Sequence, residues 1–310
     1  MRTYITIDGG TTNTRVSLVC DNRILGTVKI PLGARLSMDG GEALRKAIHD
    51  AIRSLASEHG VTEAKIHRIL ASGMLTSEFG LCNLPHVEAP AGIRELHNTM
   101  HETVLSDISE IPFVFIRGVK QCGPELAEFD MMRGEEAELY GLTDGTDGEC
   151  LYVLPGSHSK LIECDTEGRI ARFSTMMTGE MIAALSSGTI LRDAVDLSVS
   201  ECDERRLLEG CRYAFRHGIS EAIFKTRVLR NHFGASKTEA YSFFLGAVLS
   251  PEIKAIIDSP LRRVIIGGRA QIRTATALLL GALSDKEIFV LSDEEVNASS
   301  TRGVIRIYEA

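Results

Sequence analysis

Short apolar runs separated by polar turns set the layout of this chain. Three of them open it, at residues 4–7, 15–20 and 24–30, and their β-branched residues predict strands. Asp21-Asn22-Arg23 makes the second turn, and Pro31-Leu32-Gly33 ends the third run. Asp39-Gly40-Gly41 leads into a predicted helix, with Leu44, Ile48, Ile52 and Leu55 on one face and Gly60 as its stop. Strands are predicted at 66–71 and 111–116, then a helix over 131–142. Further strands follow at 151–154, 161–164 and 169–175, then a helix carrying Met181, Leu185 and Ile190. Helices dominate 201–257, where Leu207, Phe215, Ile223, Val228, Phe243, Phe244 and Val248 read as core. A strand at 262–266, a helix at 270–283 and a strand at 288–291 come next. Ser292-Asp293-Glu294-Glu295 is a capping box for a final helix, with Val296, Val304 and Ile307 on its apolar face. The alternation predicts an α/β fold.

The first turn carries chemistry. Residues 5–15 read Ile-Thr-Ile-Asp-Gly-Gly-Thr-Thr-Asn-Thr-Arg. Glycines let backbone N–H groups close on phosphate oxygens, and threonine hydroxyls add donors. Asp8 repels a phosphate directly. Its natural partner is a divalent cation riding on the phosphates, because Mg²⁺ prefers carboxylate and water oxygens. An ordinary hairpin with a polar turn has the same make-up, so the motif alone does not decide.

Three later stretches bear on it. The strand at 66–71 ends in Ser72-Gly73-Met74-Leu75-Thr76-Ser77. Open α/β sheets bind ligands just beyond the carboxyl ends of strands. Leu84-Pro85-His86 and Ala89-Pro90-Ala91-Gly92 are loops able to wrap a polar ligand, or plain connections. In the helix at 131–142, Glu135, Glu136 and Glu138 repel one another when ionised. A solvated acidic face is one reading. The other puts Glu135 or Glu136 at the mouth of a cleft, where a carboxylate near a helix N-terminus stays ionised and takes a proton.

A repeat changes the weight of the first turn. Residues 150–177 run strand, Pro155-Gly156-Ser157-His158-Ser159-Lys160, strand, polar turn, strand. The opening has the same order, with glycine and hydroxyls closed by a basic residue. This is a duplicated hairpin, not the short period of a solenoid. It implies two similar lobes, each presenting a turn that grips phosphate. Gly267-Gly268, between a strand and a helix, leaves backbone open to a planar base, as a simple strand–helix turn also would.

Composition narrows the class. The 310 residues are 44% hydrophobic, enough for about two domains with ample core. A net charge of −8 with scattered Lys and Arg argues against a nucleic-acid partner. No uninterrupted apolar run reaches the roughly 18 residues that span a bilayer, so no membrane partner is expected. The N-terminus does not read as a signal peptide. Seven cysteines with no C-x-x-C pair fit neither a disulfide framework nor a zinc site, and reduced thiols in cytoplasm are expected.

Taken in order, these pieces resemble the sugar kinases of the actin, Hsp70 and hexokinase ATPase superfamily, and most closely the 2-dehydro-3-deoxygalactonokinases. The likeness rests on Asp8-Gly9-Gly10-Thr11-Thr12-Asn13-Thr14-Arg15, Ser72-Gly73-Met74 with Ser77, and Ala89-Pro90-Ala91-Gly92. It continues through Met132-Arg133-Gly134-Glu135-Glu136, Leu154-Pro155-Gly156-Ser157-His158-Ser159-Lys160 and Met177-Thr178-Gly179-Glu180. Ser157 replaces the family's usual Thr, Leu161 its usual Trp after the lysine, and Gly80-Leu81 its Gly-Trp.

The resemblance implies two RNase H-like lobes with an interlobe nucleotide cleft. Lobe I would be residues 1–118 completed by a helix at 293–310, and lobe II residues 119–292. It implies ATP and Mg²⁺ as cofactors and phosphorylation of a 2-keto-3-deoxy sugar acid, most directly 2-dehydro-3-deoxy-D-galactonate to its 6-phosphate. A nucleotide sensor, or a kinase for another small carboxylate-bearing alcohol, is the alternative. Asp8 is expected to hold Mg²⁺. Gly9, Gly10, Thr11, Thr12, Asn13, Gly156, Ser157, His158, Ser159 and Lys160 are expected around the phosphates, with Arg15 or Lys160 neutralising charge. His158 is expected to steady its turn. Gly267 and Gly268 would face adenine. Ser72, Gly73, Met74, Ser77 and Arg133 would lie near the acceptor, Arg133 facing its carboxylate. Glu135 or Glu136 would accept the acceptor's proton. A homodimer is compatible with this reading.

Overall fold

The computed structural model describes residues 2–33, 41–143 and 148–310. Asp39 and Gly40, read as the lead-in to the first helix, lie outside them. The chain divides into two compact units. One is Met1–Gly148 with Asp165–Arg172 and Glu294–Ala310, and the other is Glu149–Cys164 with Phe173–Asp293. The stretch 119–148, expected in lobe II, therefore belongs to the first unit.

The first unit begins with strands β1 (Thr3–Gly9), β2 (Thr14–Cys20) and β3 (Arg23–Ile30), then helix α1 (Glu42–Glu58) and strand β4 (Ile66–Gly73). Next come β5 (Val87–Glu88), α2 (Ile93–Asn98), β6 (His101–Leu105) and β7 (Ser109–Phe115), then β8 (Val119–Gln121), β9 (Asp130–Met132) and α3 (Glu135–Leu142). Its main sheet has the order β3-β2-β1-β4-β7-β6, and β5-β8-β9 form a small second sheet. β1 pairs antiparallel with β2 and parallel with β4. Buried on both faces, β1 reads as an apolar run and not as a strict alternation. Ile5 and Ile7 pack with Val16, Leu18 and Phe113 and with Leu44, Ile48 and Ile52 of α1. Elsewhere the Tyr4 hydroxyl donates to Glu309 Oε1 at 2.8 Å, and Thr6 meets Thr301 at 3.2 Å. Both contacts tie the C-terminal helix to β1.

The second unit holds β10 (Cys150–Leu154), β11 (Ser159–Cys164), most of β12 (Ile170–Met176), α4 (Thr178–Gly188), α5 (Glu204–His217), α6 (Ile219–His232) and α7 (Lys237–Asp258). It ends with β13 (Arg263–Ile266), α8 (Ala270–Leu283) and β14 (Glu287–Val290), and α9 (Asp293–Tyr308) returns to the first unit. The sheet order is β12-β11-β10-β13-β14. Again the first strand is antiparallel to the second and parallel to the fourth. The second sheet thus has the RNase H-like order third, second, first, fourth, fifth, and the first sheet has the same order over its first four strands, with β7 beside β4 and β6 outside β7. α7 is long and apolar enough to cross a membrane by length and composition, yet 78% of its most apolar window is buried in the protein. It packs with Leu207 and Cys211 of α5 in the core. No disulfide joins the cysteines.

Three local expectations differ from the structure, and one strand was not expected. Met131 and Met132 belong to β9, and the helix read over 131–142 begins only at Glu135, after Gly134 at φ +110°. Ile190 lies in a short 3-10 turn beyond α4. Phe215, read as core, is exposed. β6 carries no clear apolar alternation and gave no strand signal; its pairing with β7 supplies the order that its sequence does not.

Candidate active site

The first turn joins β1 to β2. The Gly10 N–H donates to the Asn13 carbonyl at 2.8 Å, and Asn13 Nδ2 donates to Thr12 Oγ1 at 2.9 Å. Thr14 is buried and donates to the Leu32 carbonyl, which leaves Thr11, Thr12 and Asn13 as the more open side chains of the turn. Asp8 stands opposite Arg15 on β2 and beside Ser72 on β4. These are the carboxyl ends of two parallel strands, where the topology leaves room for a ligand.

Close backbone packing brings α3 to the same place. Gly73 has φ +74°, and a Cβ there would lie 2.4 Å from the Gly9 carbonyl oxygen. A Cβ on Gly134 would lie 3.3 Å from Gly73 Cα. The start of α3 therefore sits against the ends of β1 and β4. Burial pushes the Asp8 carboxyl up; Arg15 opposes this, Glu135 adds to it, and the Ser300 hydroxyl opposes it. Burial also pushes Glu138 up to about 8, with Glu135 and then Asp8 adding to it. Asp8, Glu135 and Glu138 thus share one field, with Arg15 as the opposing charge. Glu138 was not singled out from sequence. Its spacing from Glu135, three residues along a helix, puts both on one face and was the available signal.

Glu136 does something else. It is fully buried, and both carboxylate oxygens lie 2.9 Å from the Gly134 N–H. Burial, with Glu135 second, pushes it up to about 8. It pins the start of α3, and Asp8 is not among the groups that act on it. Arg133 is similarly engaged. Its Nη1 donates to Thr76 Oγ1 at 2.8 Å and its Nη2 to the Leu84 carbonyl at 2.9 Å. Those bonds brace the guanidinium against the loop after β4. Ser77 donates to the Met74 carbonyl, Met74 is half-buried, and the buried Ser72 hydroxyl has no partner among the described residues.

Among the described residues no three His, Cys, Asp or Glu side chains could hold a metal by themselves. Mg²⁺ needs only one or two carboxylates and keeps several waters. Asp8 and Glu138, both raised by burial and by the neighbouring Glu135, are carboxylates whose charge a hard dication would relieve, and they fit such an ion.

The second turn is in the other unit. A Cβ on Gly179 would lie 2.2 Å from the Gly156 carbonyl oxygen, and the Glu180 N–H donates to the Ser157 carbonyl at 3.1 Å. His158 Nε2 lies 3.5 Å from Glu180 Oε1 and steadies the turn, while Ser159 and Lys160 are buried in β11. The Thr178 hydroxyl donates to Glu252 Oε2 at 2.7 Å, and burial pushes that carboxyl up. Gly268 has φ +67°, and a Cβ there would lie 2.3 Å from the Pro155 carbonyl oxygen, which accepts from the Arg269 N–H at 2.7 Å. Residues 155–160, 178–180 and 267–269 are therefore one assembly. Beyond Arg269, Ala270, Gln271 and Thr274 line a cavity of about 470 Å³ with Tyr241 and Leu245.

A family model described as 2-keto-3-deoxy-galactonokinase matches residues 8–301. The chain belongs to that family. A protein of Rhizobium meliloti (strain 1021), named a probable 2-dehydro-3-deoxygalactonokinase, is 28% identical over 195 residues, covering 62% of this chain and 59% of that one. The match thus spans less than two thirds of that relative. The 2-dehydro-3-deoxygalactonokinase of Escherichia coli (strain K12) is 29% identical over 265 residues, 82% of this chain and 80% of that one. A crystal structure from Sinorhizobium meliloti assigned to the same enzyme has a TM-score of 0.79 at 20% identity, covering 98% of this chain and 97% of that one. Family membership bears out the resemblance read from the motifs, and the fold is shared with that structure.

Proposed function

We propose that the protein transfers the terminal phosphoryl group of ATP to a 2-keto-3-deoxy sugar acid, most directly 2-dehydro-3-deoxy-D-galactonate, giving its 6-phosphate. Family membership over residues 8–301 supports the reaction class, and ATP use goes with a kinase family. The observation that carries the site is the shared field of Asp8, Glu135 and Glu138 at the glycine turn.

Phosphoryl transfer asks a protein mainly for positioning and charge neutralisation. Asp8 would hold Mg²⁺, which when bound neutralises phosphate charge. Gly9, Gly10, Thr11, Thr12 and Asn13 offer backbone and side-chain donors to phosphate oxygens, and Arg15 supplies positive charge beside them. Within the second unit, Gly156 and Ser157 offer the same kind of donors, with Ser159 and Lys160 behind them. Gly267 and Gly268 take the adenine side, where the cavity lined by Ala270 and Gln271 has room for a base. Glu135 is the proton acceptor we favour, because Glu136 is committed to the Gly134 N–H. Ser72, Gly73 and Met74 flank the acceptor.

The test is ADP release by the purified protein with ATP, Mg²⁺ and a panel of 2-keto-3-deoxy sugar acids. Acid-dependent turnover is expected. ADP release that no acid stimulates would point to a nucleotide sensor and end this reading.

A further inference from the structure

The small β5-β8-β9 sheet gathers cations at one end. His86 directly precedes β5, Lys120 lies on β8, and Arg133 directly follows β9. Val87 pairs with Val119 and Glu88 with Lys120 in parallel register, while Val119 pairs with Met132 in antiparallel register. The backbone between them is tight. A Cβ on Gly118 would lie 2.6 Å from Arg133 Cγ and 2.9 Å from His86 Cδ2. The imidazole and the arginine stem are thus held side by side over a residue with no room for a side chain.

The polar groups of this corner are not balanced. Arg133 Nη2 lies 3.5 Å from His86 Nδ1. A guanidinium only donates, so Nδ1 is the acceptor and the ring proton sits on Nε2. That Nε2 is buried and has no partner among the described residues. A buried donor without an acceptor is costly, and such a group calls for an explanation. Burial, then Arg133 and Lys120, pull the His86 pKa down to about 4, so the ring is neutral and surrounded by positive charge. The Lys120 ammonium makes no ion pair among the described residues, although Glu88 is its register neighbour. The carboxylate that faces Arg133 is Glu136, which the Gly134 N–H already holds. What the corner lacks is an anion with acceptor oxygens.

We propose that His86 Nε2 and the Lys120 ammonium, with Arg133 holding the imidazole in place, form the subsite that receives the carboxylate of the acceptor acid. This rests on the sugar-acid kinase reading above and gives it a residue-level basis for choosing acids. Arg133 joins the corner to the reacting end: its Nη1 bonds Thr76, whose hydroxyl donates to the Gly73 carbonyl at 3.0 Å. The assignment moves the carboxylate contact from Arg133 itself to the two groups beside it. A planar carboxylate would accept from Nε2 with one oxygen and meet the ammonium with the other, and charge-assisted bonds of this type are the stronger kind.

The experiment is steady-state kinetics of the wild type, Lys120→Met, Lys120→Arg and His86→Gln with 2-dehydro-3-deoxy-D-galactonate and with its C1 carboxamide. Wild type should prefer the acid over the amide by at least tenfold in kcat/KM. Lys120→Met and His86→Gln should raise the acid's KM tenfold or more, shrink the preference, and leave the KM for ATP within twofold. Lys120→Arg should restore most of the loss, which a merely structural role would not require. Unchanged acid KM in both Lys120→Met and His86→Gln, with the preference for acid intact, overturns the proposal while leaving the kinase reading in place. Should wild type show no turnover, calorimetric titration with the acid alone still decides: binding weakened tenfold by Lys120→Met supports the subsite, and binding that ignores the substitution overturns it. Thermal unfolding of each variant identifies any that fail to fold, and the acid-versus-amide comparison on wild type then carries the test: no preference overturns the proposal.

Discussion

The two glycine hairpins are the most informative comparison within this molecule. β1–β2 and β10–β11 open sheets whose first four strands share one order, and each puts a basic residue at the start of its second strand. In the first, Arg15 is exposed and stands opposite Asp8. In the second, Lys160 is buried and stands opposite Leu154. One copy carries a carboxylate at that position and the other a leucine. The hairpin is thus a general way of offering backbone donors to an anion, and the first copy alone sets a carboxylate beside them. α3 then brings Glu135 and Glu138 to the copy with Asp8, whereas the second copy is met by Thr178, Gly179 and the Gly267-Gly268 turn.

The largest effect should come from removing that asymmetry. Asp8→Asn is expected to lower kcat by about 100-fold or more, since one preorganised electrostatic group is commonly worth that much. Activity across a Mg²⁺ titration is the readout, and retention of wild-type rate would mean that the metal is anchored elsewhere. Next comes the pair of adjacent glutamates. Glu135→Gln should lose about 10²–10⁴ in kcat if it accepts the proton, with ATP affinity largely kept. Glu136→Gln should lose much less, because a glutamine oxygen can still accept from the Gly134 N–H. The reverse order would reassign the base.

A smaller effect is expected at the second hairpin. Gly179→Ala puts a methyl 2.2 Å from the Gly156 carbonyl oxygen, so backbone must move. Overpacking of this kind costs about 1–3 kcal/mol. The melting temperature should fall and the KM for ATP should rise, with the acceptor's KM unchanged; a change in the acceptor's KM alone would contradict the division of labour.

The smallest effect is a pH slope. Folding raises the Glu136 pKa from its ordinary 4.5 to about 8. Between those values the folded protein holds a proton that the unfolded chain releases, so stability falls as pH rises across that window and levels off above it. Thermal unfolding in chelator should show the decline, and Glu136→Gln should reduce it, with Glu138 supplying what remains. A slope equal to that of wild type would show that this carboxyl is not the one titrating.

Much of this was readable before any coordinates. Residues 5–15 stated their turn through Asp8, two glycines and a run of hydroxyls, and 150–177 repeated it. The acid-rich helix was legible from its glutamates, although its start at Glu135 was not. Met131 and Met132 misled because apolar residues next to an acid-rich helix fit its periodicity, and only pairing with β8 makes them a strand. β5 and β8 are two and three residues long, too short for any pattern to register, so the cationic corner at His86 and Lys120 was hidden with them. The separation of Glu135 from Glu136 was also out of reach, because it depends on which side chain turns inward to the Gly134 N–H.

The central claim is that one hairpin, through Asp8 and the carboxylates beside it, carries a metal-dependent phosphoryl transfer to a sugar acid. Phosphorus NMR of ATP mixed with 2-dehydro-3-deoxy-D-galactonate and enzyme tests it most directly. The account predicts a new phosphomonoester signal that requires both acid and Mg²⁺ and is nearly abolished by Asp8→Asn. A phosphomonoester formed at the same rate by Asp8→Asn, or none formed by wild type, would contradict it.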